Sequence, residues 1–84
     1  MRNRIGWKEV FPDGEKREIN ATVQQGRVVW KRQRRRGETW ETFAPWPELW
    51  TILLDKMEAA YRRRHVSYDD LVAARAAAKR SAAP

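Results

Sequence analysis

Two turn signals, Pro12-Asp13-Gly14 and Gln25-Gly26, divide the first part of the chain into runs of alternating apolar and polar residues. Those runs can pair in very few ways. From Phe11 to Glu15, Pro12 suits the second position of a type I turn and Gly14 suits the left-handed position of a G1 bulge. Such a three-residue loop sets Glu9 against Arg17, Trp7 against Ile19 and Ile5 against Ala21. Apolar residues then share one face, and opposite charges meet across the strands. A tighter Asp13-Gly14 loop would place Ile19 against Lys8 instead, so the first register is preferred. With Gln25-Gly26 as a two-residue loop, Val23 faces Val28, Ala21 faces Trp30 and Ile19 faces Arg32. The same apolar face continues, and two independent turns agree on it.

A third turn at Arg36-Gly37 leads into Thr39 to Phe43. With a two-residue loop Phe43 meets Trp30 on the apolar face and Trp40 takes the other; with three residues the faces swap. The sequence leaves both open. Pro45 and Pro47 cannot donate to a ladder and end the sheet, while Pro47 and Glu48 suit the first turn of a helix. Leu49, Trp50, Leu53, Met57, Ala60 and Tyr61 recur at helical spacing and form the stripe that should lie across the sheet. Arg62 to Arg64 close that helix, and Ser67 with Asp69 and Asp70 reads as the N-cap and acidic first turn of another. Tyr68, Leu71, Val72 and Arg75 would form one face of this second helix.

The predicted architecture is α+β: a three- to four-stranded antiparallel β-meander over residues 4–43, a long helix over 47–64 packed on one face, and a shorter C-terminal helix over 68–79. Residues 1–80 form a single domain in this scheme, and 81–84 a frayed tail. A chain of 84 residues buries only about 60–65% of the surface its unfolded form exposes, so five tryptophans must supply much of the core. There is no cysteine, which excludes disulfides and Cys-based zinc sites and fits a reducing compartment. No secretory leader or membrane-length apolar run is visible, so the expectation is a cytoplasmic, monomeric protein without a membrane partner.

Between Arg27 and Arg36 stand six Lys or Arg and no acid, within a net charge of +7. On a strand with Val28, Trp30 and Arg32 facing inward, Arg27, Lys31, Gln33 and Arg35 project outward as a row. Lys8 and Lys16 join them from the first and second strands with Asn20 and Thr22 as neutral donors, Arg34 and Arg36 sit near the turn with reach to either side, and Trp40 adds an aromatic if the last loop has two residues. Lys and Arg neutralise phosphates, Gln can read a base edge, and an exposed Trp can stack on an unpaired base. The expected site is therefore Lys8, Arg27, Lys31, Gln33, Arg34, Arg35, Arg36 and Trp40, facing DNA or RNA. The same cations also protect a sheet edge from aggregation, and Arg32 with Glu41 reads as a cross-strand ion pair.

Little in the chain points to catalysis. His65 is its only histidine, Ser67 is accounted for as a cap, Ser81 lies in the tail, and no Gly-rich phosphate loop is present. No cofactor or metal is expected. Three strands backed by a C-terminal helix are similar in layout to the sheet-reading DNA-binding domains of plant transcription factors and phage integrases, which lay a sheet face into the major groove. The residues carry no motif of either family, and the similarity is one of layout alone. The functional expectation is a non-enzymatic nucleic-acid-binding domain using the sheet face opposite the helix. The alternatives are a small adaptor that binds protein through Trp46 and the C-terminal helix, with the basic strand a solvated face, and a domain whose charge meets an acidic protein.

Overall fold

In the computed structural model, which describes residues 4–82, the two turn signals act as their chemistry requires. The Phe11 carbonyl accepts the Gly14 N–H at 2.8 Å, and the Phe11 N–H donates to the Glu15 carbonyl at 2.9 Å. This loop sets strand β1 (Arg4–Val10) antiparallel to β2 (Lys16–Gln24), with Ile5 opposite Ala21, Trp7 opposite Ile19 and Glu9 opposite Arg17. At the next turn Gln25 and Gly26 both have positive φ, 50° and 75°, which is the primed geometry that matches strand twist. It joins β2 to β3 (Arg27–Gln33), pairing Val23 with Val28, Ala21 with Trp30 and Ile19 with Arg32.

The third hairpin resolves the open register. The Phe43 N–H donates to the Trp30 carbonyl at 3.2 Å, so Phe43 takes the apolar face, as a two-residue loop demands. Its strand β4 is only Glu41–Thr42, paired with Arg32 and Lys31. The turn explains this brevity. Gly37 has φ +90°, but Arg36 is not among the residues with positive φ, so the turn belongs to neither primed type. Unprimed turns splay the strands they join. The ladder parts beyond Arg32 and Glu41, and the gap is filled by the Gln33 amide, whose Nε2 donates to the Glu38 carbonyl at 2.6 Å.

Helix α1 (Pro47–Arg62) starts with proline in its first turn and buries Leu49, Leu53 and Met57. It stops short of the expected residue 64. The Arg64 N–H donates to the Tyr61 carbonyl at 2.9 Å and the His65 N–H to the Ala60 carbonyl at 2.8 Å, with Arg64 at φ +62°. This is a Schellman ending with arginine where glycine is usual. Ser67 then caps helix α2 (Tyr68–Ala82), its Oγ accepting the Asp70 N–H at 3.1 Å.

Helix α2 departs from expectation in two ways. It buries Leu71, Ala74 and Ala77, whereas Tyr68 and Val72, expected to share one face with Leu71, are 57% and 43% exposed. Alanine lets a helix approach the sheet closely, so small residues do the packing. The helix also runs past Lys79 to Ala82, and Arg80 Nη2 donates to the Gly26 carbonyl at 3.0 Å, tying its last turn to the β2–β3 turn. Residues 81 and 82 are therefore helical; 83 and 84, also assigned to the expected tail, lie outside the described residues. At 15 residues against 16, α2 is barely shorter than α1.

The sheet order is β1-β2-β3-β4, and Ile19, Ala21, Val23 and Trp30 form one core with Leu49, Leu53, Met57, Leu71 and Ala74. Ring contacts knit it: Trp30 lies 5.8 Å from Trp7 and 5.2 Å from Trp50, and Phe11 lies 5.3 Å from Phe43 and 5.2 Å from Trp46. Among the described residues no helix is long and apolar enough to cross a membrane.

Candidate nucleic-acid interface

Because both helices cover the face bearing Ile19, Ala21 and Trp30, strand alternation leaves the other face open. Lys8 and Lys16 rise from β1 and β2, and Arg27 and Lys31 from β3; all four are exposed. Asn20 and Thr22 lie between them, half-buried. None of the four cations makes a side-chain hydrogen bond or ion pair among the described residues, which leaves their charge free to act on solvent anions.

At the end of this face, between the β1–β2 turn and the β3–β4 connection, lies a hollow of about 430 Å³. Lys8, Lys16, Gln33, Arg34 and Arg36 border it, together with Arg17 and Glu18. The nearby charges are unequal in effect. Arg17 is committed to Asp13 by two hydrogen bonds, Nη1 to Oδ1 at 3.0 Å and Nη2 to Oδ2 at 2.7 Å. Those bonds, with the Glu15 N–H, hold the Asp13 carboxyl down at about 2, well below the usual carboxylate range. Arg34 has only a 3.7 Å pairing with exposed Glu15. Lys8, Lys16 and Arg36 have none, so positive charge dominates the hollow.

The structure sorts the eight expected site residues. Lys8, Gln33, Arg34 and Arg36 come together around the hollow. Arg27 and Lys31 share the open face but stand away from it, and Arg35 is exposed in the connection without lining it. Gln33 is 8% exposed, and its Nε2 is spent on the Glu38 carbonyl, so it supports the β3–β4 connection rather than standing out as a base reader. Trp40 is half-buried; unlike the other four tryptophans it belongs to neither the core nor any ring pair among the described residues. Arg32, expected to face inward, lies 3.8 Å from Glu41, with its guanidinium 5.6 Å and 5.8 Å from the Phe11 and Phe43 ring centroids.

Lys16 belongs with the hollow although the charge run between 27 and 36 does not include it. Its signal was register: a G1-bulge hairpin brings it beside Val10 and onto the same face as Lys8. Elsewhere, Ser67 Oγ is occupied as a helix cap, His65 is exposed, and no three His, Asp or Glu converge among the described residues. The chain matches no family model, no curated protein and no solved structure.

Proposed function

We propose that the protein is a non-enzymatic nucleic-acid-binding domain that uses the open face of its sheet. The observation that carries this is the set of uncommitted cations there: Lys8, Lys16, Lys31 and Arg27 rise from three strands with no ion pair among the described residues, and a cation-rich hollow continues the set at one end. Cations fixed on a rigid face meet a polyanion without the ordering cost that a loose basic tail would bear. In this role Lys8, Lys16, Arg34 and Arg36 hold phosphates around the hollow, and Lys31, Arg27 and Arg35 extend the track. Asn20 and Thr22 supply neutral hydrogen-bonding groups, and Trp40 is the stacking group.

Tryptophan-fluorescence titrations with mixed-sequence DNA and RNA, at about 50 and about 200 mM salt, test this directly. The expected result is micromolar binding that weakens steeply at the higher salt, and that Lys8→Glu with Lys31→Glu abolishes while the thermal midpoint holds. Failure to bind any nucleic acid at low salt would sink the proposal. The alternative is then a small adaptor that binds a protein through Trp46 and α2. Trp46 is half-buried against Phe11 and Phe43, which gives that alternative less free surface than the sheet offers.

A further inference from the structure

The basic surface does not stop at the rim of the sheet. A second hollow, of about 390 Å³, wraps the free edge of β1, where Arg4, Ile5 and Gly6 meet the end of α1. Four basic side chains border it: Arg4 from β1, Lys56 and Arg63 from α1 and its cap, and His65 beyond. No carboxylate lines it. Arg4, Arg63 and His65 make no side-chain hydrogen bond or ion pair among the described residues, and the Lys56 ammonium rests 5.8 Å from the Trp7 ring centroid. Three cations and an imidazole from three parts of the chain thus border one hollow that no carboxylate lines.

Between this hollow and the one at Lys8 lies a saddle. Gly6 shares the open face with Arg4 and Lys8 but presents no side chain, and the space is taken by its neighbour across the ladder, Asn20. A Cβ placed at Gly6 would lie 2.7 Å from Asn20 Oδ1, so the amide sits in the notch that the glycine leaves. The Asn20 side chain has no hydrogen-bond partner among the described residues, although it is half-buried. Arg4 and Lys8 stand about 13 Å apart along the strand, at roughly 3.3 Å per residue.

We infer that one strand of nucleic acid runs along β1, with phosphates in the two basic hollows at its ends and the Gly6–Asn20 saddle beneath the nucleotide between them. This deepens the proposed function and rests on it. The path turns from the open face around the sheet edge toward α1. A single strand bends that sharply at little cost, whereas duplex DNA, with a persistence length of about 50 nm, does not. Single-stranded nucleic acid is therefore the preferred partner. Asn20 offers both a donor and an acceptor to whatever base or sugar crosses the saddle.

The test is fluorescence anisotropy with a labelled, mixed-sequence single strand of roughly 12 nucleotides, within the usual range of site sizes, and with its duplex. Lys56→Glu with Arg63→Glu should weaken single-strand binding at least tenfold at low salt. The neutral pair Lys56→Gln with Arg63→Gln should lower the salt slope by about 1.4, close to 0.7 for each phosphate no longer neutralised. Lys79→Glu, a charge reversal on α2 away from β1, should change affinity less than twofold. Far-UV circular dichroism and the thermal midpoint confirm that each variant is folded; the neutral pair keeps the test open if the charge reversals are not. Wild-type binding that both double variants retain within twofold would overturn the β1 path while leaving the open-face proposal standing. Duplex bound as tightly as single strand would overturn the strand preference. Binding of neither probe by the wild type would overturn both proposals together.

Discussion

The two faces of the sheet come from the same strands, one residue out of step, and they obey different rules. On the covered face Ile19, Ala21 and Trp30 are 0%, 1% and 3% exposed among helix side chains, so shape and volume decide what each position tolerates. On the open face Lys8, Lys31 and Arg27 touch mainly solvent, so a substitution changes charge and little else. Alternation thus lets one strand carry the fold and a charged surface with little conflict between them. Gln33 marks the limit of that separation. It belongs by parity to the open face, yet it is buried because the strands splay beside it.

Substitutions can break or sharpen this contrast, and the largest effect belongs to the covered side. Leu53→Ala removes a side chain with no exposure from the helix–sheet contact and should cost about 2–5 kcal/mol in urea unfolding. Gln33→Ala should cost about 1 kcal/mol through the lost bond to the Glu38 carbonyl, whereas Lys31→Ala on the same face should stay within about 0.5 kcal/mol. An equal cost for the two would show that burial beside the splayed hairpin has no energetic consequence. Gln25→Asn should act in the other direction. Position 25 has φ 50°, a conformation that asparagine adopts more readily than glutamine, and the gain should be about 0.5 kcal/mol by thermal denaturation.

The smallest effect is the acid response of the first turn. Asp13 titrates at about 2 when folded against 3.8 in its ordinary state, chiefly because Arg17 bonds to its carboxylate. A carboxyl lowered by folding contributes stability that is fully present above its unfolded value and is lost as the pH falls through the folded one. Urea midpoints should therefore show this contribution intact down to about pH 5 and fading toward pH 2. Asp13→Asn should remove that part of the acid dependence; an unchanged acid profile would mean that the Arg17–Asp13 pair is not formed in solution.

Much of the architecture was legible because its signals are local. Pro12-Asp13-Gly14 and Gln25-Gly26 set two registers within a few residues, and period-two alternation confirmed them on one face. The third hairpin was harder, since its length depends on the sign of φ at Arg36, which residue type does not dictate. Arg64 ends α1 in a conformation usually given to glycine, so the basic run marked the end of the helix but set it two residues late. Helix α2 looked weakly apolar because Ala74 and Ala77 carry few carbons; their burial comes from how closely the backbones approach.

The candidate site divides along the same line. Lys8 and Lys31 could be placed by alternation alone. Gln33 could not, because its burial follows from splaying two strands away. The Arg4, Lys56, Arg63 and His65 hollow shows only half of itself in the linear charge pattern: Arg63 and His65 lie in the basic run that ends α1, but Arg4 and Lys56 join them only where α1 passes the β1 edge.

The hydrogen bond from Arg80 to the Gly26 carbonyl spans 54 residues, while the Arg75–Glu58 bond between the helices spans 17. Every hairpin closes a short loop and both helices form from neighbours, so the chain can assemble most of its contacts before this one. Contacts between distant segments must first overcome the entropy of closing a long loop, so they follow the local ones. Docking of the exposed Arg80 side chain is then expected to be a closing event of folding, after the rate-limiting barrier. In stopped-flow tryptophan fluorescence Arg80→Ala should quicken unfolding and leave refolding unchanged; slower refolding would place the tie inside the folding nucleus.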